Sequence, residues 1–437
     1  MMENRYDRYK DSGIAWIGEI PEHWNIGYVG KFLNEVNNRN TSQKETNTLQ
    51  FKMGEIVSKS DGNSKYNPES IESYNIVYPG TIMINGLNLS FDFVSQRVGL
   101  VKERGAITSA YLAMKPNDNC SPNYVTYLFK SYDYKKVFHS LGKGLRATLN
   151  YNIIRNELIV LPSFHEQQTI AAYLDQKCGE IDELITLQEE MITKLQSYKQ
   201  SVITEAVTKG LDKNVPLKDS GVEWIGEIPK HWEVRRMKSI YNFGKGLSIT
   251  KADLVDKGIP VISYGQIHSK LNIGTCIKDS LIRYVPKVFL ENNNTSLVKK
   301  GDVIFADTSE DLEGCGNCIY IDRDMLLYAG YHTIIAKNIS TSYNRYFSYL
   351  FQTDCWRFQI RRMVNGVKLF SIPQKLLASA DLIVPSTQEQ QSIADYLDQR
   401  CSEIDELISI KQQKIEKLKE YKKSLIFECV TGKRKVS

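Results

Sequence analysis

The chain has 437 residues, 42% of them apolar and 24% charged, with a formal net charge of +5. A length of that order exceeds what one hydrophobic core organises, so two or three domains are expected, and no run approaches the roughly 20 apolar residues of a membrane span. The modest positive excess permits an acidic partner without demanding one, while the polar stretch Met1 to Lys10 lacks an apolar export segment and the eight cysteines are scattered, which together point to reduced thiols and the cytoplasm.

Lys10 to Trp24, KDSGIAWIGEIPEHW, recurs as Lys218 to Trp232, KDSGVEWIGEIPKHW, with 12 of 15 positions identical. Two readings stand for this segment, a packed turn and a partner contact. The stretch from Asn25 to Leu161 follows, in which the β-branched run Thr81 to Ile84, bounded by turn residues, predicts a strand and the region near Tyr124 to His139 predicts a helix. At Pro162 a second repeated block begins: Pro162 to Ile185 recurs as Pro385 to Ile408 with 18 of 24 positions identical. Ser163 and Glu166 have the spacing of a capping box, as do Ser386 and Glu389, so a helix is expected to start at each. Along the first helix Ile181, Leu184, Met191, Leu195, Tyr198 and Val202 fall in steps of three and four with Gln188 as the polar member, the spacing of a coiled-coil seam.

A short link, Lys209 to Pro216, leads into the second copy. Its insert, Glu233 to Val384, carries the predicted strands Val303 to Ala306 and Thr333 to Ala336 and a predicted helix over Arg345 to Met363. The final seam reads Ile404, Leu407 or Ile408, Lys411, Ile415, Leu418, Tyr421 and Leu425. The chain is thus a tandem duplication in which the shared blocks are kept and the inserts have diverged. Segments 1–161 and 211–384 are expected to form two homologous α+β globular domains, and 162–210 and 385–437 two long helices.

A thin amphipathic helix of about 40 residues must bury its stripe, either in ordinary core packing or on the other helix. The first helix feeds the second globular domain, and that domain feeds the start of the second helix. If the helices pair they are therefore antiparallel and pseudo-two-fold related, forming a rod about 60 Å long with the chain ends close together.

The order of domain, Pro-x-x-x-Glu-Gln helix, domain, Pro-x-x-x-Glu-Gln helix resembles the specificity subunit of Type I restriction-modification systems over essentially the whole chain. The cues are Pro162 to Gln167, Pro385 to Gln390, the Trp-Ile-Gly-x-Ile-Pro-x-His-Trp segment of each half, and the apolar-Gly-Asp run at Val298 to Phe305. The resemblance implies that the inserts are target-recognition domains, each reading one half of a bipartite, asymmetric double-stranded DNA site. It also implies that the helices pair and dock two modification subunits, with restriction subunits joining the complex. S-adenosylmethionine and ATP with magnesium would then belong to the partner subunits, with adenine methylation and cleavage carried out there, and none would bind this chain.

Candidate DNA contacts are the basic residues Lys135, Lys136, Lys143 and Arg146 in the first domain and Arg357, Arg361, Arg362 and Lys368 in the second; they read either as phosphate contacts or as solvated helix faces. Cys315 and Cys318 have zinc-like spacing but lack a second ligand pair. The chain has neither the phosphate-binding Gly-rich loop nor the Asn-Pro-Pro-aromatic run of an adenine methyltransferase, so no catalytic residue is assigned. The rival to DNA reading within a restriction complex is a coiled-coil scaffold or a DNA-binding protein acting outside one.

Overall fold

The repeated Lys-Asp-Ser-Gly segment forms a hairpin in both copies. Tyr9–Asp11 pairs antiparallel with Glu19–Pro21, Lys10 opposite Ile20, and Leu217–Asp219 pairs with Glu227–Pro229, Lys218 opposite Ile228. Ile20 and Trp24 in one copy, and Ile228 and Trp232 in the other, are fully buried. These features come from a computed structural model in which residues 5–59, 68–142, 147–290, 294–366 and 368–436 are described.

Each insert begins and ends on a single antiparallel ribbon. Asn25–Tyr28 pairs with Leu158–Leu161, and Glu233–Arg236 pairs with Asp381–Val384. Between those ends the first domain carries a four-stranded antiparallel sheet in the order Leu33–Glu35, Leu112–Pro116, Ile82–Ile84, Val98–Leu100. The second domain repeats the plan with Tyr241–Lys245, Thr333–Asn338, Val303–Ala306, Cys318–Tyr320. The three predicted strands lie in these sheets. The second domain adds a four-stranded sheet, in the order Arg283–Val285, Ile259–Ile262, Leu327–Ala329, Leu297–Val298.

Helix α1 (Pro122–Tyr134) packs on the first sheet and ends sooner than its apolar pattern predicts. Lys136 adopts the left-handed conformation, φ 59°, and a short separate helix, Val137–Leu141, follows. Helix α2 (Phe164–Lys209) comes next. In the second domain the predicted helix is likewise two, α3 (Asn344–Leu350) and α4 (Asp354–Met363). Thr353 makes the break, its hydroxyl accepting from the Trp356 amide at 3.3 Å and starting α4 as an N-cap. Helix α5 (Thr387–Val430) closes the chain.

The chain divides into two compact units, Met1–Glu189 with Gln412–Ser437 and Glu190–Lys411. Each unit therefore holds one globular domain and a stretch of each long helix. In the first, Asp182 of α2 pairs with Lys422 of α5 at 2.6 Å. In the second, Lys199 pairs with Asp405 at 2.7 Å. These four residues exchange roles under the repeat, since Asp182 matches Asp405 and Lys199 matches Lys422. The pairing is antiparallel in both units; such exposed ion pairs fix register more than they stabilise.

The buried seam keeps Ile181, Gln188, Leu195 and Val202, with Ile404, Lys411, Ile415, Leu418 and Leu425 opposite, but its alternate positions lie one residue on from those the spacing predicts. Cys178, Ile181, Gln188, Val202 and Ala206 of α2 are buried, with Ile185, Ile192 and Leu195 half-buried between them. The α5 counterparts are Cys401, Ile404, Ile415, Leu425 and Cys429, with Ile408, Lys411, Leu418 and Lys422 half-buried. Leu184, Met191, Tyr198 and Tyr421, expected in the seam, are 43–51% exposed. The cause is a stripe wider than one seam. Positions three and four beyond Ile181 are both apolar, and pairing buries the Ile185 side while leaving the Leu184 side outside.

Both long helices stop at a left-handed glycine, Gly210 at φ 80° and Gly432 at φ 70°. Both glycines also lie against the repeated tryptophan of their unit. A Cβ on Gly210 would meet the Trp232 ring at 3.2 Å, and one on Gly432 would fall 2.1 Å from Pro21 and 3.3 Å from the Trp24 ring.

Candidate nucleic-acid interface

The Glu-Gln pair at the start of each long helix fastens the globular domain to it. Glu166 accepts hydrogen bonds from the Trp24 indole at 3.1 Å, the Tyr6 hydroxyl at 2.6 Å and the His23 ring at 3.1 Å. Glu389 accepts from the Trp232 indole at 3.1 Å and His231 at 2.8 Å. Burial alone would raise the Glu389 pKa; the donors His231, Ser386 and Trp232 outweigh it and hold the carboxyl below the ordinary glutamate range. The capping box is reciprocal only in the second copy, where the Ser386 amide also donates to Glu389 at 3.2 Å. In the first, the Ser163 hydroxyl accepts from the Glu166 amide, but the carboxylate is drawn to the extra donor Tyr6, whose counterpart is Asn214.

The glutamines act on the opposite side. Gln167 accepts from the Ser121 amide at 2.8 Å, the residue that caps α1, and donates to the Pro162 carbonyl at 3.1 Å. Gln390 accepts from the Tyr343 amide at 2.8 Å, just ahead of α3, and donates to the Pro385 carbonyl at 2.8 Å. Two further ties are duplicated. The hydroxyl of Tyr124 donates to the Val430 carbonyl at 3.1 Å, as Tyr346 does to Val207 at 2.9 Å, and Tyr127 and Tyr349 each donate to the matching aspartates Asp175 and Asp398. The repeated motifs are thus spent on holding a domain rigidly to the paired helices. Hydrogen bonds to the part-buried carboxylates are charge-assisted, and those to the carbonyls are buried and directional, which suits that role.

The basic residues singled out in the sequence scatter. Lys135 is exposed at the end of α1 with its ammonium 4.5 Å from the Phe427 ring centre, and Lys136 donates to the Phe93 carbonyl at 2.6 Å. Lys143 and Arg146 lie outside the described residues. Arg357 is an interior group: its three nitrogens donate to the Phe351 carbonyl, Asn317 and Gln352 at 2.7–2.9 Å, which removes it from the phosphate-contact set. Arg361 is mostly covered and tied to Asp354 and the Glu313 carbonyl. Arg362 is exposed and paired with the exposed Glu223 at 2.6 Å, a contact that phosphate could displace. Lys368 is exposed. Cys315 and Cys318 are buried in the second domain's core, with Gln352 donating to the Cys318 sulfur at 3.4 Å.

Sequence reasoning missed one feature of the first domain, the turn from Asn88 to Gln96 between two strands of the sheet. Phe91, Phe93 and Val94 are exposed there, as is Met53 on the neighbouring hairpin of Leu49–Lys52 and Glu55–Ser58. The alternation Phe91-Asp-Phe93 resembles a strand with one face inward, which hides the signal. The unusual Met53-Gly54 turn, where Asn-Gly is the common choice, was the available clue.

Comparison with known proteins accords with this architecture. The family described as the Type I restriction modification DNA specificity domain matches residues 229–420. The specificity subunit of the Type I restriction enzyme MjaVIII from Methanocaldococcus jannaschii is 22% identical, over 95% of this chain and 94% of that protein. The second half of the chain thus matches the specificity-domain family, and over nearly its whole length the chain resembles Type I specificity subunits. A further relative, the StySPI specificity subunit of Salmonella potsdam, is 28% identical over 26% of this chain and 24% of its own length. Among solved structures, one of the type I R-M system concerned with complex assembly and conformational transition superposes with a TM-score of 0.69 at 14% identity, covering 94% of this chain and 98% of that one. The HsdS subunit of Thermoanaerobacter tengcongensis gives 0.52 at 15% identity over 94% and 98% of the two chains. The chain thus shares its fold with both solved structures where it shares little sequence.

Proposed function

We propose that this chain is the DNA-reading subunit of a Type I restriction-modification complex, with each globular domain recognising one half of a bipartite, asymmetric site. The observation that carries this reading is where the duplication is kept. The Trp–Glu, Gln–amide, Tyr–carbonyl and Asp–Lys ties recur at matching positions in both units. The inserts differ in length and share only patches of sequence. Identical mountings carrying unlike surfaces suit two half-sites of unlike sequence at a fixed spacing.

Catalysis then belongs to partners: S-adenosylmethionine to modification subunits and ATP with magnesium to restriction subunits, with no cofactor on this chain. The chain's work is confined to the cytoplasm, where that DNA is; among the described residues no helix is long and apolar enough to cross a membrane. Lys135, Lys136, Arg362 and Lys368, all with some solvent access, remain as phosphate contacts, and such contacts position a protein without reading sequence. A scaffold without sequence reading leaves the divergence of the inserts unexplained.

Exchanging residues 25–161 for the equivalent insert of a relative is expected to change one half-site and leave the other and the spacer unchanged. Mapping methylated adenines in DNA from cells that express the chimera with its modification partner reads this directly; a change in both halves refutes the assignment.

Two modification subunits dock on the exposed apolar side of the helices. In the first unit that side offers Leu184, Leu187 and Tyr421, and in the second it offers the repeat equivalents Leu407, Ile410 and Tyr198 together with Met191. One site per unit follows from the repeat. Placing aspartate at both Leu184 and Leu187 should leave the fold intact, because both are 43–48% exposed, and should remove one modification subunit of two. Mass measurement of the assembled complex decides it; an undiminished complex would place docking elsewhere.

A further inference from the structure

The turn over Asn88 to Gln96 is built unlike an ordinary surface loop. Arg97, whose side chain is fully buried, donates to the carbonyls of Asn85 at 2.9 Å, Leu87 at 2.8 Å and Asp92 at 2.6 Å, while its own amide donates to the buried Asp133 carboxylate at 2.9 Å. The Asp92 carboxylate accepts from the amides of Val94 at 3.1 Å and Ser95 at 2.9 Å. Hydrogen bonds from Ser95 are the main reason its pKa is held at about 2. From the other side, Lys136 donates to the Phe93 carbonyl, His139 contacts the Asp92 carbonyl at 3.0 Å, and the His139 ring stacks on Phe93 at 4.8 Å and 19°.

Three of the non-glycine residues in the left-handed region, Asn88 at 54°, Lys136 at 59° and Ala147 at 40°, lie in this turn and the segments braced against it, and the Leu89 amide donates to the Ala147 carbonyl at 3.1 Å. Backbone strain of this sort persists only where surrounding structure enforces it, and it concentrates at sites of function. What all this bracing presents is apolar. Phe91 is 76% exposed with no ring partner among the described residues, and Val94 is 92% exposed. The neighbouring hairpin adds a fourth group. Met53, 81% exposed and itself left-handed at 50°, precedes Gly54, which abuts Gln96 so closely that a Cβ there would lie 2.4 Å from the Gln96 side-chain oxygen.

A rigid apolar prong serves only if something receives it, and its surroundings say what. Lys136 stands at its base and Lys52 beside Met53, while Ser95 and Gln96, at its edge, are exposed donors and acceptors of the kind that read base edges. Of the acids nearby, Asp92 and Asp133 are spent on amides and Arg97 inside the turn, Glu55 is exposed, and Asp175 and Asp182 line the groove bordered by Met53 and Gln96, where Lys102, Lys130 and Lys422 offset them. Cations around a projecting aromatic match a polyanion whose interior is a stack of flat rings. Proteins that deform duplex DNA push an apolar side chain between two base pairs in this way.

We infer that Phe91 is a wedge entering one base step of the half-site read by the first domain, with Val94 and Met53 lining its flanks. The inference rests on the DNA-reading function proposed above. Strain and burial are used to fix the prong before DNA arrives, so insertion needs no ordering of the loop at that moment.

The test uses the full chain assembled with its modification subunits, and duplexes of the mapped site carrying 2-aminopurine at successive positions. The wild-type complex should raise the fluorescence at one step of one half-site. Phe91→Ala should abolish that signal and weaken binding about 5- to 100-fold, the range expected for loss of one base-stacking side chain, and Phe91→Trp should restore both. Thermal unfolding should be unchanged, because the side chain is exposed. Equal fluorescence and affinity in Phe91→Ala would overturn the wedge while leaving sequence reading intact. Loss of subunit assembly in that variant would overturn it in favour of a protein contact. A wild-type complex with no preference for its mapped site would instead overturn the DNA-reading function beneath it.

Discussion

Trp24→Ala should lower the stability of the first unit by about 3–5 kcal/mol, the range for deleting a large, fully buried aromatic side chain. The ring is wholly enclosed by the hairpin that precedes it and the last turns of α5, among them Ile426, Cys429 and Val430. Its loss also takes one of three donors from Glu166. Trp24→Phe separates the two contributions: most of the packing stays, the indole bond goes, and a cost of about 1–2 kcal/mol is expected. Trp232→Ala should act on the second unit to the same degree, and the two losses should add, because the sites share no partner. Thermal unfolding, followed with hydrogen exchange to assign each transition to its unit, checks this; a single small shift for Trp24→Ala would show that the hairpin is not part of the core.

Arg97→Met should cost the first unit about 2–4 kcal/mol and loosen one turn far more than the rest. Methionine fills much of the same space, so the loss comes from three carbonyls deprived of a charged donor. It comes also from the Asp92 carboxylate, which loses its cation. Amide exchange should accelerate across residues 85–96 while the sheet strands on either side keep their protection. If Phe91 works as a wedge, Arg97→Met should weaken DNA binding even though Arg97 itself is buried, since a mobile prong must be ordered on binding. Uniform exchange across the unit would mean that Arg97 supports the core and not the turn.

The reasons some features were legible in the sequence and others were not are physical. The duplication, the long helices and their antiparallel sense followed from repeated blocks and connectivity, because helical periodicity and chain order are local and additive signals. The Asp182–Lys422 and Lys199–Asp405 pairs bear out that sense within each unit. The phase of the seam did not follow: Leu184 and Ile185 are equally apolar, and only the facing helix decides which is buried. The purpose of the Glu-Gln pair was half visible. Ser163 and Glu166 have the spacing of a cap, but the carboxylate's long-range donors, Trp24 and Tyr6, are 142 and 160 residues away in sequence. The basic clusters misled for a related reason. Charge in a sequence does not say whether a guanidinium faces water, and Arg357 is turned to the Phe351 carbonyl between its two helices and to Asn317 and Gln352. The turn at Phe91 was hidden because an exposed aromatic run and a buried strand look alike until the sheet is built.

The two ends of the described chain meet on one unit: the Tyr9 hydroxyl donates to the Gly432 carbonyl at 3.0 Å, and Lys435 lies 5.9 Å over the Tyr6 ring. The short segment after Gly210 holds the equivalent place in the second unit. In each unit the end of a long helix thus lies against the hairpin of the repeated segment, joined to it by the backbone in the second unit and by the Tyr9–Gly432 hydrogen bond in the first. A circular permutant that opens between Gly210 and Pro216 and joins the present ends through a short linker would keep every strand pair and helix tie described above. It would be synthesised with the second domain first, and should nevertheless assemble into the same reader of the same two half-sites.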